Sequence, residues 1–382
     1  MLLILFKALV IIIALGYSLL LTYYRKWFLQ VKQFASTEKH QAITFFSIVI
    51  PARNEEDNIK KCLQSIINQK YPNHLFEVIV IDDHSTDNTS NVVASFQAKN
   101  ENIHLLKLED DLKGKIINAY KKKAIELAIE KAKGNWIITT DADCLLQENW
   151  LKLYDDFICS NDVVFVAAPV MFTRPKTILS LFQFIDFMAL QATTAAAVAA
   201  GFHSMCNGAN LAYNKSVFLE VGGFRGIDNI ASGDDMLLMN KIKNKYPSKI
   251  GYLFHRNAIA ITEPMPTWKA FYNQRIRWAS KADSYKDKTL LPTLILIYLF
   301  NLSIIIWFVA SIFNVTLWLF AVVLLTIKII VEWRFLKVGF QFFGKVNLIN
   351  FFLLQPLHIL YIVIAGWLGK FGSYSWKERK VK

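Results

Sequence analysis

Charge is scarce in this sequence. Only 19% of its 382 residues are Asp, Glu, Lys or Arg, against 54% hydrophobic. That apolar excess is unusual for a soluble protein and points to membrane segments. Cysteine is scarcer still. Cys62, Cys144, Cys159 and Cys206 are scattered and form no C-x-x-C pair. This argues against a zinc site and a disulfide framework, and it fits a reducing compartment. No nucleic-acid module is recognisable, and the basic residues are not gathered in one arm. The net charge of +13 therefore speaks for a membrane surface and a phosphate-bearing substrate rather than DNA or RNA.

What is present first is a long apolar run. Leu2 to Tyr24 is broken only by Lys7 and is long enough to cross a bilayer. No small-residue cleavage site follows, so residues 1–24 read as an uncleaved transmembrane anchor. Arg25, Lys26 and Lys32 come after it, against Lys7 alone before it, which puts the next domain in the cytoplasm. Leu290–Phe313, Val315–Val331 and Leu348–Leu368 predict about three membrane segments within residues 290–369, the first two joined by a short turn at Asn314. Three spans would leave the basic tail (residues 370–382, with Lys370, Lys377, Arg379, Lys380 and Lys382) outside, against the positive-inside rule. One of the three is therefore expected to be interfacial. Glu332–Asn347 reads as a cytoplasmic amphipathic stretch. Ile178–Gly201 is apolar but carries Gln183, Asp186 and Gln191. It reads as a helix against the membrane or under an acceptor channel, or as a buried domain helix.

Residues 36–288 have a different texture, that of an α/β domain. Phe45–Ile50, Phe76–Ile81, Ile103–Leu108, Trp136–Thr140 and Val163–Ala168 read as buried strands. Helical spacing of Ile59, Cys62, Leu63, Ile66 and Ile67, with Asn54 as the expected cap, and a run from Ala119 to Ala132 alternate with them. The pattern predicts a mainly parallel sheet with helices on both faces. Ligands bind such sheets beyond the carboxyl ends of the strands. Two acidic clusters, Asp82-Asp83 and Asp141-Ala142-Asp143, fall at such ends. Carboxylates there suit a hard cation such as Mg²⁺ or Mn²⁺ shared with a diphosphate. His84, His203 and His255 have no second ligand near them in sequence, and Trp268 and Phe271 read as packing residues.

Several runs resemble the family-2 inverting glycosyltransferases. They are Ile48–Glu56 (I-V-I-P-A-R-N-E-E), Val80–Asp87 (V-I-D-D-H-S-T-D), Thr140–Asp143, Asn207–Asn210, Val221–Phe224 and Gly233-Asp234-Asp235. Gln274-Arg275-Ile276-Arg277-Trp278 matches the Q-x-x-R-W pattern of the membrane-embedded branch, which includes cellulose, hyaluronan and ceramide-glucose synthases. The resemblance covers roughly residues 44 to 281 in the expected order. It implies an α/β fold of the nucleotide-diphospho-sugar transferase type (GT-A, Rossmann-like) together with transmembrane helices. It implies a nucleoside-binding loop at Pro51, Ala52, Arg53 and Glu55, with Asp82 and Asp83 bonding base and ribose. Asp141 and Asp143 would hold Mg²⁺ or Mn²⁺ on the diphosphate, with Asp141 also counted among the nucleotide contacts. A lysine of the run 121–123, taken as Lys123 with Lys115 as competitor, would approach the same group. Asp235 would be the base, with Asp234 in the place of the family's usual glutamate. Gln274, Arg275, Arg277 and Trp278 would border diphosphate and acceptor.

The reaction so implied is metal-dependent, inverting transfer of a sugar from a UDP- or GDP-linked donor to a membrane lipid or growing polysaccharide. It would take place at the cytoplasmic face of a bacterial inner membrane. Two other readings stand beside it: a nucleotidyltransferase on a related fold, and a membrane assembly partner without turnover.

Overall fold

The structure, a computed structural model, describes residues 1–36, 41–285, 287–372, 374–376 and 379–381. Of the basic tail, Lys377 and Lys382 lie outside the described residues. The chain opens with helix α1 (Leu2–Phe28), then strand β1 (Phe46–Ala52), α2 (Ile59–Ile67), β2 (Phe76–Asp82), α3 (Thr89–Gln97) and β3 (Ile103–Lys107). There follow α4 (Leu108–Leu112), α5 (Tyr120–Lys131), β4 (Trp136–Thr139), α6 (Trp150–Ser160), β5 (Phe165–Ala167), β6 (Val170–Phe172) and α7 (Ile178–Ala199). The second half holds β7 (Leu211–Asn214), α8 (Lys215–Glu220), α9 (Met236–Lys245), β8 (Ile250–Tyr252), β9 (Ala260–Thr262) and α10 (Trp268–Ala279). Last come α11 (Leu290–Phe313), α12 (Trp318–Phe343), α13 (Leu348–Leu353), α14 (Gln355–Phe371), β10 (Tyr374–Trp376) and β11 (Arg379–Val381).

The main sheet has the order β3-β2-β1-β4-β7-β5-β8. β1 pairs in parallel with β2 and β4, and β2 with β3. β7 is antiparallel to both β4 and β5, and β5 pairs in parallel with β8, so the sheet is mainly parallel, as expected, with β7 as its one reversed strand. Its strand reading was legible because Ile48, Ile50, Val78, Val80 and Ile138 fill one face against α2 and α6. The alternate residues Val49, Ile79, Ile81 and Ile137 fill the other against α5. Asn54 does not cap α2. It takes a left-handed φ of 50°, and its Oδ1 accepts from Thr86 N at 2.8 Å, tying the loop after β1 to the loop after β2.

Four helices among the described residues are long and apolar enough to cross a membrane: Leu2–Phe28, Ile178–Ala199, Leu290–Phe313 and Val315–Phe343. α1 buries a stripe at helical spacing, Val10, Ala14, Tyr17, Leu21, Tyr24 and Phe28. α7 starts on a capping box between Thr177 and Ser180. It is the most enclosed of the four, and it packs with α1 and α12 in one apolar core.

Two expectations change. The helix of the apolar run Val315–Val331 does not end at Val331, because α12 runs unbroken to Phe343. The charge of Glu332 is tolerated there because Lys328 one turn earlier, Tyr17 and Gln355 all bond to it. Nor is 348–368 one long helix. Pro356 lacks an N–H and clashes with the preceding turn, so α13 stops and α14 restarts with Pro at its first turn. α14 has 17 residues, short of the ~20 a span needs. It runs beside α10 in the same direction: Tyr361 meets Phe271, Ala365 meets Ile276 and Gly369 meets Ala279. A Cβ on Gly369 would lie 2.6 Å from the Ala279 Cβ, so glycine is what permits the contact.

Candidate active site

The carboxyl ends of β1, β2 and β4 open into one cavity of about 280 Å³. This is the position ligands take on sheets of this kind. β1 delivers Pro51, Ala52 and Arg53, the end of β2 delivers Asp83, and the end of β4 delivers Asp141 and Asp143. The opposite wall comes from Asp234 and Asp235 before α9 and from Gln274, Arg277 and Trp278 on α10. Glu55 completes the set of expected residues that the fold gathers.

Backbone geometry fixes these groups. Arg53 Nη1 donates to the carbonyls of Asp83 at 3.0 Å and His84 at 3.1 Å, locking the first two loops together. The Asp235 carboxylate caps α9: Oδ1 accepts from Met236 N at 2.7 Å, and Oδ2 from Gly208 N at 3.1 Å. Gly233, just before the pair, has φ of 80°, a conformation glycine adopts without penalty. Gly208 is needed for a different reason. A Cβ there would meet Asp234 Oδ2 at 3.1 Å and Lys121 Nζ at 3.6 Å. Asn210 anchors the same segment from within. It donates to the carbonyls of Pro169 and Ala258 and accepts from Trp150 and Tyr154.

Three expected residues stand elsewhere. Asp82 is buried and turned into its own loop, accepting from Ser85 N at 2.9 Å and from the Ser90 hydroxyl. Lys123 points along α5 to Asp111 at 3.2 Å, and it is Lys121 that lines the cavity. The run of three lysines spreads over about 200° of a helix at 100° per residue, so only one can face the strand ends. Arg275 is buried behind the wall, paired with Asp186 at 2.7 Å. The histidines also find partners: His84 Nδ1 is 2.9 Å from Asp83 Oδ1, and His203 is buried between Tyr24 and Thr289.

Lys121 Nζ bridges the two walls, 2.8 Å from Asp141 Oδ1 and 3.3 Å from Asp234 Oδ2. Burial opposes its charge, but Asp141 and Asp234 more than offset that and hold its pKa above the ordinary lysine value. Burial likewise disfavours the Asp234 carboxylate, yet Lys121 and then Lys281 hold its pKa below the usual range. The neighbouring Lys122 was not singled out by the sequence reading. It is fully buried and donates to the carbonyls of Ile227, Ile230 and Ser232 at 2.6, 2.7 and 3.0 Å. It thereby fastens the loop that leads into Gly233-Asp234-Asp235.

The donor set fits a hard cation. Seven carboxylates and four cationic side chains line the cavity, leaving an acidic excess. Asp143 Oδ2 also accepts from Thr262 Oγ1 at 3.1 Å. Among the described residues no three His, Cys, Asp or Glu side chains form a cage. The neighbouring carboxylates of Asp141 and Asp143 suit a Mg²⁺ or Mn²⁺ held by one or two carboxylates and completed by substrate phosphates.

Residues 136–365, well over half of the chain, match the profile of glycosyl transferase family group 2. Residues 47–222 match that of glycosyl transferase family 2. The chain belongs to this family. The family-2 chain is 28% identical over 194 residues to glycosyltransferase AglE of Haloferax volcanii, covering 51% of this chain and 60% of that one. It is 29% identical over 239 residues to the probable glycosyltransferase YdaM of Bacillus subtilis, covering 61% and 54%. These matches thus span between about half and three fifths of the length of either relative. The poly-beta-1,6-N-acetyl-D-glucosamine synthase of Staphylococcus epidermidis is 23% identical over 312 residues, 80% of this chain and 71% of that one. Among solved structures, the mannosyltransferase PcManGT of Pyrobaculum calidifontis, in complex with GDP-Man and Mn²⁺, superposes with a TM-score of 0.58 at 17% identity. It covers 95% of this chain and 98% of that one. At that identity the likeness shows the fold, a GT-A-like mixed α/β sheet.

Proposed function

We propose that this protein is an inverting, divalent-metal-dependent glycosyltransferase, moving a sugar from a nucleotide diphosphate to an acceptor at the membrane surface. The observation that carries the reading is Asp235. Two backbone N–H groups aim its carboxylate into the cavity, across Lys121 and Asp234 from Asp141 and Asp143. Inversion is one displacement. The acceptor oxygen attacks the anomeric carbon, the bond to the diphosphate oxygen breaks, and Asp235 takes the acceptor's proton. Asp141 and Asp143 would hold the Mg²⁺ or Mn²⁺, whose chemistry there is charge neutralisation on the departing diphosphate. Lys121 adds a point charge at the same place. Pro51, Ala52, Arg53, Glu55 and Asp83 form the nucleoside end, and Gln274, Arg277 and Trp278 the acceptor end.

Residues 36–288 are the catalytic unit on this reading, in the cytoplasm and at a bacterial inner membrane. The basic groups Arg25, Lys26 and Lys32 beyond α1, and Arg334, Lys337 and Lys345 toward the end of α12, support that side. With α14 lying along α10 and not crossing, the chain end returns to the same side. So few crossing helices favour a lipid-linked acceptor over a growing polymer.

The test is purified protein with Mn²⁺ and a panel of UDP- and GDP-sugars. Wild type should release nucleoside diphosphate on transfer, and Asp235→Asn should fall by about 10²–10⁴ with nucleotide affinity kept. Release of pyrophosphate would instead indicate a nucleotidyltransferase. Equal inertness of both forms, with nucleotide still bound, would indicate an assembly partner.

A further inference from the structure

The cations of the cavity wall are not equally engaged. Arg53 is held by two backbone carbonyls and Lys121 by two carboxylates. Lys281 lines the same cavity, yet its ammonium makes no hydrogen bond or ion pair with any described residue. Its position is nonetheless fixed. It follows α10 directly, one turn after Arg277. Its stem packs over the Gly233 turn, where a Cβ would lie 3.6 Å from Lys281 Cδ. Burial pushes its pKa down, with Asp235 as the strongest opposing charge. A desolvated ammonium without a partner is costly. An anion entering the cavity removes that cost.

The order of groups across the cavity says which anion. Asp141 contacts Lys121, Lys121 contacts Asp234, and the Lys281 stem packs over the Gly233 turn that leads into Asp234 and Asp235. In an inverting displacement the attacking group enters opposite the departing diphosphate, so the base side is the acceptor side. That side is also formed by α10, which lies along α14 and the apolar bundle. Arg277 in the last turn of α10 and Lys281 just past its end both line the cavity, and guanidinium with ammonium is a pairing suited to a phosphate. We propose that Lys281 binds the phosphate of a phosphate-bearing lipid acceptor, with Arg277 beside it. This rests on the glycosyltransferase reading and narrows its acceptor from any membrane lipid to an anionic one.

The experiment reads binding, not turnover. Purified protein in dodecyl maltoside micelles is treated briefly with acetic anhydride, and acetylation of Lys281 is followed by mass spectrometry. Three additives are compared: dodecyl phosphate, dodecyl glucoside, and UDP or GDP with Mn²⁺. Dodecyl phosphate is expected to slow acetylation about five-fold or more, and the other two to leave it unchanged. Calorimetry with dodecyl phosphate should show about ten-fold weaker binding for Lys281→Met, restored by Lys281→Arg. Equal protection by the glucoside, or none by dodecyl phosphate, overturns the proposal. Protection by nucleotide alone also overturns it, since the phosphate would then be the donor's. If Lys281→Met fails to fold, the labelling of wild type still decides. Wild type that protects Lys281 but transfers no sugar from any donor would sink the glycosyltransferase reading and leave the phosphate site standing.

Discussion

Arg275 Nη2 lies 2.7 Å from Asp186 Oδ2, with both side chains almost wholly buried. The guanidinium also sits over the Trp278 ring, 4.2 Å from its centroid, and over Phe271 at 4.9 Å. Asp186 belongs to α7 and accepts from Tyr361 of α14 at 2.5 Å. His358 of α14 in turn meets Lys328 of α12, which pairs with Glu332. A chain of polar contacts thus runs from the apolar bundle to the helix that carries Arg277 and Trp278. Buried ionisable groups of this kind are tolerated only when paired.

Removing one partner should therefore cost far more than removing both. Asp186→Asn leaves a buried guanidinium uncompensated and should cost about 3–5 kcal/mol. Asp186→Leu with Arg275→Met should recover most of that. Thermal unfolding of the purified variants in one detergent checks the order. A double variant no more stable than the single one would contradict the pairing argument.

Much of this site was legible in the sequence, for a physical reason. Strands ending in Asp82-Asp83 and Asp141-Ala142-Asp143 announce themselves because buried strands are apolar runs and their carboxyl ends are where polar groups must resume. Which acid of a pair faces the cavity was not legible, since Asp82 and Asp83 differ only by the turn that follows them. The choice among Lys121, Lys122 and Lys123 depended on the phase of α5 against the sheet, a tertiary property. The staple made by Lys122 spans more than a hundred residues of sequence and has no local signal. The break before α14 did have one, Pro356, in a run whose apolarity suggested a span.

Asp143→Ala should abolish the metal-dependent part of nucleotide binding. Asp143 shares the strand end with Asp141, and Lys121 already compensates Asp141. Titration of UDP or GDP with and without Mn²⁺ by calorimetry reads the effect, expected at about ten-fold or more. Unchanged Mn²⁺-dependent affinity would remove Asp143 from the metal pair.

Lys121→Met should act in opposite directions on metal and nucleotide. The ammonium sits on Asp141 as a competing cation, so its loss should tighten Mn²⁺ binding to nucleotide-free protein. The same loss removes a point charge from the diphosphate, so nucleotide affinity should fall. Electron paramagnetic titration of free Mn²⁺, set beside nucleotide calorimetry, separates the two. Parallel changes would mean that Lys121 serves only to hold Asp141 and Asp234 together.

Lys122 gives the clearest dependence on pH. Burial brings its pKa down to about 8, against the favourable pull of Asp234. As an ammonium it has three N–H donors for three carbonyls, those of Ile227, Ile230 and Ser232. As a neutral amine it has two, so one carbonyl of the loop before Asp234 is released as pH rises through about 8. Transfer should decline on that limb, and amide exchange over residues 227–232 should quicken. Global stability should move the other way. The folded chain sheds this proton near pH 8, whereas an unfolded lysine keeps it until about 10.4. Between those values the unfolded state binds more protons, and this group's contribution to stability rises with pH. In Lys122→Met both effects should vanish together, with the loop exchanging quickly at every pH. A wild-type loop whose protection holds level from pH 7 to pH 9 would show that the amine keeps all three carbonyls without its extra proton.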